Sequence, residues 1–250
     1  MRRIFLEKTP STNTFLKEIC KEGGTHGLVV YTWNQMSGYG RRGKFWHSES
    51  DSNIAFSIAL KPPPNADMPM SIVAGVAVRN AVLAFIAPKA TLKIGIKWPN
   101  DIMVLNRKLC GISCEGVGNF LVLGIGINVN NTEFPGDLSR TATSLRLETG
   151  IKWDTHLLLN DVINSLLNSY DMLISGGFAP ILQEFKQSCV NLGHESIIMQ
   201  ENRQISGIAV DIDNTGRIIL QTDNKNYEAF SSGEVSLRSV EAGRQNVTGS

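Results

Sequence analysis

Apolar residues recur along the chain with two periods, and the order of those periods outlines the fold. Arg2–Glu7 predicts a short strand. Ser11 stands at a helix N-cap position, Phe15, Leu16, Ile19 and Cys20 share one face behind it, and Gly23-Gly24 is the stop. Leu28–Trp33 predicts a strand, followed by a polar, glycine-rich stretch from Asn34 to His47. Asn53–Leu60 is a nearly continuous apolar strand, closed by Pro62-Pro63-Pro64, which continues neither a ladder nor a helix. Met70–Ile86 carries Ile72, Val76, Val82 and Leu83 at helical spacing among alanines, which predicts a buried helix.

Four strands follow: Thr91–Trp98, Ile102–Leu105, Lys108–Glu115 and Phe120–Asn128. Pro99-Asn100-Asp101, Asn106-Arg107 and Gly116–Asn119 connect them, and connections this short join only antiparallel neighbours, so the sheet is mixed and not doubly wound. Asp154 caps a helix running to the neighbourhood of Ile174, Gly176-Gly177 ends it, and Phe178–Cys189 makes another. After Gly193 the pattern turns to short alternating strands at Glu195–Gln200, Gln204–Val210, Arg217–Gln221, Tyr227–Phe230 and Glu234–Leu237, as in a small β-barrel. The expected organisation is an α+β (α/β mixed sheet) domain over residues 1–192, a β domain over 193–240 and a disordered tail over 241–250.

Composition narrows the function classes. The 250 residues carry 24 Lys+Arg against 23 Asp+Glu, a balance that argues against a dedicated nucleic-acid binder or a polybasic membrane protein. No apolar run approaches the roughly 18 residues of a membrane span, and only three apolar residues follow Met1-Arg2-Arg3, too few for a signal-peptide core. Cys20, Cys110, Cys114 and Cys189 are scattered without a framework, as reduced thiols in a cytoplasmic protein are. No metal-ligand cluster is expected.

Four segments carry candidate chemistry. Gly38, Gly40 and Gly43 spell G-x-G-x-x-G, but a strand follows where a dinucleotide fold needs a helix, and Lys61 to Pro64 stand where it needs an acid. Charge points elsewhere: Gly23 through Ser48 contains no Asp or Glu, while Arg41, Arg42 and Lys44 cluster on the glycine-rich loop, where backbone N–H groups and guanidinium forks hold phosphate oxygens. The bland alternative is a solvated basic hairpin tip. Lys97-Trp98-Pro99-Asn100-Asp101 is a strand ending in a polar turn, which in isolation is only a good turn. In Lys108-Leu109-Cys110-Gly111-Ile112, alternation puts Lys108, Cys110 and Ile112 on one face, so Lys108 either meets an anion or snorkels. In Gly124-Ile125-Gly126-Ile127-Asn128, alternating glycines leave room for a flat ligand or for close helix packing.

Together with Ser11-Thr12-Asn13 and the late Gly233-Glu-Val-Ser-Leu-Arg238, these segments resemble biotin–protein ligases, over residues 5–239 and in the same order. The resemblance implies a catalytic domain related to class II aminoacyl-tRNA synthetases, followed by an SH3-like C-terminal β-barrel. It implies that biotin is adenylated by ATP with Mg²⁺ on the pyrophosphate, then transferred to a lysine of a biotin carboxyl carrier protein. By the same resemblance Lys108, Arg41 and Asp101 are catalytic. Ser11, Thr12, Gln35, Gly38, Arg41, Lys108 and Gly111 bind biotin. Arg41, Arg42, Lys44, Trp46, Asn100, Lys108, Asn128 and Arg238 bind ATP. Two departures stand out. Tyr39 occupies a loop position where the family usually has arginine, and because the Ser-Thr-Asn motif begins at residue 11, the helix-turn-helix domain of some members is not expected. The rival readings are a lipoate–protein ligase of the same logic and a non-catalytic biotin-binding regulator. Monomer and homodimer both remain open.

Overall fold

The computed structural model describes residues 2–62, 69–200, 203–223, 226–231 and 234–237, and it resolves into two compact units. The first comprises the described residues up to Cys189 with Asn214–Gly216; the second comprises those of Val190–Asp213 and from Arg217 onward.

The first unit opens with β1 (Arg3–Phe5), α1 (Thr12–Lys21) and β2 (Leu28–Thr32). A two-stranded ribbon, β3 (Gly38–Tyr39) and β4 (Phe45–Trp46), brackets a single 3-10 turn at Arg41–Gly43. Then come β5 (Asn53–Leu60), α2 (Met70–Ile86), β6 (Ile94–Lys97), β7 (Asp101–Val104), β8 (Arg107–Val117) and β9 (Phe120–Asn128). Four helices close the unit: α3 (Leu138–Thr141), α4 (Leu145–Thr149), α5 (Thr155–Gly176) and α6 (Ala179–Ser188). Seven strands form one mixed sheet in the order β1-β2-β5-β9-β8-β7-β6, in which only β1 and β2 run parallel.

The two faces of this sheet have different occupants. On one, Gly75 of α2 fits against Ile96 and Phe185, where a Cβ would meet the Ile96 methyl at 3.4 Å, so α2, α6 and the strands approach closely. Every residue of β5 is buried, and its near-continuous apolar run follows from being covered on both sides. The opposite face carries α1. Ser11 caps this helix by accepting from Thr14 N at 3.4 Å, and the buried stripe is Thr12, Asn13, Leu16 and Cys20. Leu16 and Cys20 pack with Leu28, Val30, Ala59 and Val122, whereas Phe15 is exposed and Ile19 half-buried, so the expected apolar face is rotated toward Thr12 and Asn13. Polar groups hold that end of the helix against the sheet.

The expected phase of β8 also changes. Ile102 pairs with Cys110 and Met103 with Lys108, so Leu109 is an extra residue in the ladder. This bulge reverses the alternation: Lys108 shares the site-facing side with Gly111, while Cys110 and Ile112 are buried in the core. The sequence expectation that Lys108, Cys110 and Ile112 share a face is therefore corrected.

In the second unit, β10 (Glu195–Gln200), β11 (Arg203–Ile212), β12 (Ile218–Gln221), β13 (Tyr227–Phe230) and β14 (Glu234–Leu237) form an antiparallel sheet ordered β13-β12-β11-β10-β14. β14 returns to pair with β10. Ile198, Ala209, Ile212, Ile218 and Leu220 fill its core at 0% exposure, which the expected alternation requires. No described helix is long and apolar enough to cross a membrane.

Candidate active site

The site lies on the α1 face of the mixed sheet, and small residues make its floor. Across β5, β9 and β8, Ser57 pairs with Gly124 and Ser113 with Gly124, while one row over Ala55 and Gly111 both pair with Gly126. Two side chains lie on these glycines. Asn13 covers Gly124, where any Cβ would collide with its amide. The Trp46 indole covers Gly126 and touches Gly111, whose Cβ would stand 3.1 Å from the ring.

One end of the site is polar and uncharged. Residues 34–37 run beside Thr9 and Pro10, with Met36 N donating to Thr9 O at 3.0 Å and Ser37 N to Pro10 O at 2.9 Å. That pairing brings Gln35 to the helix N-terminus, where its Oε1 accepts from Thr12 N at 3.0 Å and from Thr12 Oγ1 at 3.3 Å. Gly38 leaves room beside it for that orientation, because a Cβ there would displace the Gln35 amide nitrogen. Beneath, Ser57 donates to Asn13 Oδ1, and Asn13 Nδ2 donates to Ser113 Oγ at 2.9 Å. These groups are buried, and each would cost about 1–3 kcal/mol if left unpaired.

The other end is cationic. Arg41, at the start of the 3-10 turn, donates to Asn100 Oδ1 at 3.0 Å, and Asn100 Nδ2 donates to Ile112 O at 2.7 Å. The loop is thus tied to the corner between β6 and β7, which also contains the cis Trp98–Pro99 peptide bond. Lys108 Nζ stands 2.8 Å from Asp101 Oδ1, 5.6 Å from the Trp46 ring centroid, and close enough to Gly111 that a Cβ there would lie 3.0 Å away. The Lys108–Asp101 contact is an ion pair without hydrogen-bond alignment, and the buried Trp46 Nε1 has no hydrogen-bond partner among the described residues.

Loop arginine, polar corner and strand lysine, distant in sequence, therefore meet at one place. The other expected residues are arranged differently. Asn128 is 3% exposed and its amide is engaged internally: Nδ2 donates to Thr143 O at 3.0 Å and Lys108 O at 3.4 Å, and Oδ1 accepts from Asn53 at 2.7 Å. Lys44 is exposed, and its backbone carbonyl accepts from Gly40 N at 2.7 Å. The side chain of Arg42 and all of Arg238 lie outside the described residues. Beside the floor, the burial of Cys110 raises its thiol pKa, and burial pushes the Cys114 thiol up to about 11, so both are neutral at pH 7 and neither is an activated nucleophile.

Asn13 belongs to the Ser11-Thr12-Asn13 motif but has no role assigned from the sequence, and Ser57 and Ser113 do not stand out there. The available signal was a polar residue three positions before Leu16 on the buried helix stripe, and serines interrupting apolar strands opposite a glycine. Lys17 and Glu115 also belong to the neighbourhood, as an ion pair at 2.8 Å joining α1 to β8.

Comparison with known proteins identifies the family. Residues 5–131 match the biotin/lipoate A/B protein ligase family, and residues 195–238 match the biotin protein ligase C terminal domain. The chain is 30% identical over 240 residues to a biotin–(acetyl-CoA-carboxylase) ligase of Mycobacterium tuberculosis, covering 92% of this chain and 87% of that protein. It is 28% identical over 243 residues to the bifunctional ligase/repressor BirA of Bacillus subtilis, covering 94% of this chain and 73% of that one. A biotin protein ligase from Aquifex aeolicus, solved in complex with biotin and ATP, superposes with a TM-score of 0.83 at 28% identity, covering 95% of this chain and 98% of the other.

Proposed function

Because the chain belongs to the biotin/lipoate A/B protein ligase family, we propose that it attaches biotin to a lysine of a biotin carboxyl carrier protein in two ATP-dependent steps. The observation that carries this reading is the two-ended site. Ser11, Thr12 and Gln35 offer uncharged donors and acceptors at one end, and Arg41 and Lys108 offer positive charge at the other. Biotin has the same division, with a ureido head that donates and accepts and a carboxylate tail.

In the first step a biotin carboxylate oxygen attacks the α-phosphorus of ATP. A new P–O bond forms, the bond to the bridging oxygen breaks, and pyrophosphate leaves with the electron pair. Two anions must meet, and unit charges 4 Å apart repel by about 4 kcal/mol at an effective dielectric of 20. Lys108 and Arg41 offset that repulsion, and both are held in advance, Lys108 by Asp101 and Trp46, Arg41 by Asn100. Trp46 offers the nucleotide a stacking surface, and the glycine-rich loop with Arg42 and Lys44 closes over the phosphates and keeps water from the mixed anhydride. Asn128 acts from below, holding the backbone of Lys108. In the second step the neutral amine of the acceptor lysine attacks the anhydride carbonyl, the bond to AMP breaks, and an amide forms with loss of one proton. Asp101 is the carboxylate at hand to orient that amine.

Among the described residues no group of three or more His, Cys, Asp or Glu side chains is placed to hold a metal ion. The Mg²⁺ that the resemblance implies would come with ATP and neutralise charge on the pyrophosphate. The five-stranded second unit corresponds to the SH3-like barrel of the resemblance, with residues 1–192 as the ligase domain and 193–240 as the barrel.

Pyrophosphate release from ATP with biotin, lipoate or octanoate tests the assignment. Release with biotin alone is expected, since a site built around paired ureido hydrogen bonds rejects acids that lack them. Faster release with lipoate would favour the lipoate ligase, and biotin binding without release would favour a regulator.

A further inference from the structure

We propose that Lys17 and Tyr39 form a latch that ties the glycine-rich loop to α1 at the edge of the site, with Lys17 as the positioning residue. The loop spans two banks. On one, Arg41 is bonded to Asn100 at 3.0 Å. On the other, Tyr39 Oη lies 3.4 Å from Thr14 Oγ1, and Lys17 Nζ sits 5.4 Å from the centroid of the Tyr39 ring. Lys17 is itself fixed by Glu115 Oε2 at 2.8 Å, and Glu115 Oε1 accepts from Asn13 Nδ2 at 3.4 Å. One set of contacts thus runs from the loop through α1 to the residue lying on the Gly124 floor.

The charge on Lys17 is secure. Burial works against it, but the hydrogen bonds with Glu115 and Tyr39 outweigh that penalty and raise its pKa above the usual lysine value. A cation held near an aromatic face is attracted by the ring quadrupole. An arginine at position 39, the residue the resemblance leads one to expect, would instead bring two like charges together. Lys17 therefore gives the Tyr39 departure a physical reason: the cation comes from the helix, and the loop contributes the ring that receives it.

Trypsin is a suitable probe, because Arg41, Arg42 and Lys44 are three cleavage sites inside the loop. Cleavage of a folded protein follows the population of the open segment when opening is fast. The ligand-free full chain is digested briefly and the fragments are identified by mass. Lys17→Met and Tyr39→Leu should each raise the initial rate at the loop sites about fivefold, which corresponds to ~1 kcal/mol at 1.4 kcal/mol per tenfold. Lys17→Arg, which keeps the cation, should stay within about twofold of the parent, and Tyr39→Phe, which keeps the ring but loses the Oη contact with Thr14, should fall between the parent and Tyr39→Leu. Equal loop cleavage across all five proteins would overturn the latch. Should Lys17→Met lose its fold, the Tyr39→Leu and Tyr39→Phe pair decides, because both leave the Lys17–Glu115 ion pair in place.

The catalytic consequence rests on the adenylation reading. Lys17→Met should raise the KM for biotin about fivefold in pyrophosphate release, with kcat within about twofold; a fall in kcat at unchanged KM would overturn the positioning role. If adenylation itself were the wrong reading, the parent protein would release no pyrophosphate, while the proteolysis comparison would stand unaffected.

Discussion

Replacing Gly126 with alanine asks how closely Trp46 and the sheet floor fit. The added Cβ would lie 2.5 Å from Trp46 Cε2 and 2.7 Å from Cζ2 and Nε1. Carbon atoms in comfortable contact stand about 3.5–4.0 Å apart, so one partner must retreat by roughly 1 Å. β9 cannot yield easily, because β5 and β8 bond it along both edges. The indole sits on a ribbon of two residues per strand, so it moves instead. Overpacking of this kind costs about 1–3 kcal/mol, and here the cost falls on the loop rather than on the core. The KM for ATP in pyrophosphate release should therefore rise about fivefold to 150-fold, while the melting temperature falls by no more than about 4 °C. A double-mutant cycle isolates the contact: in a Trp46→Ala background, where nothing is left to strike, Gly126→Ala should be nearly silent. An unchanged KM in the single variant, or the same loss with and without the indole, would refute the reasoning.

Three more outcomes follow from the same geometry. Lys108→Ala should lower pyrophosphate release at least 100-fold with a near-normal urea midpoint, and turnover within tenfold of the parent would remove Lys108 from the chemistry. Arg41→Gly severs the tie to Asn100 and should let biotinyl-AMP escape, detected as biotin on bystander lysines of an added unrelated protein; no extra labelling would count against a closing role. The Cys114 thiol is raised by burial from 9.0 to about 11, so its contribution is fully present below pH 9 and lost as pH rises through about 11. At pH 10 this amounts to about 1.4 kcal/mol, so Cys114→Ala should narrow the stability gap between pH 8 and pH 10 in urea unfolding; an unchanged gap would contradict it.

Where composition and period decide structure, the sequence was a faithful guide. The continuous apolar run of β5, the glycine and proline stops, and the turn residues between β6 and β9 each have one local reading, and the structure follows it. The bulge at Leu109 has no such local signature: Lys108-Leu109-Cys110 pairs in either phase until β7 is laid beside it, so the facing of Lys108 is a property of two strands together. The face of α1 was misjudged for a related reason. Phe15 outranks Asn13 on any hydropathy scale, but Asn13 alone finds Ser57, Ser113 and the open surface of Gly124 across the sheet. The asparagine of the Gly-Ile-Gly-Ile-Asn segment is legible as important, but not whether it meets a ligand or, as its bonds to Asn53, Thr143 and Lys108 indicate, braces the backbone.

The return of β14 to β10 bears on biosynthesis. As the chain leaves the ribosome, β10 to β13 emerge as a simple meander, yet β10 keeps one bare edge until residues 234–237 follow. An unpaired edge is a template for another chain. A message that stops shortly before that point would leave the six residues of β10 at that edge in place of the four of β14, a longer template for another chain, although the larger unit had already been synthesised.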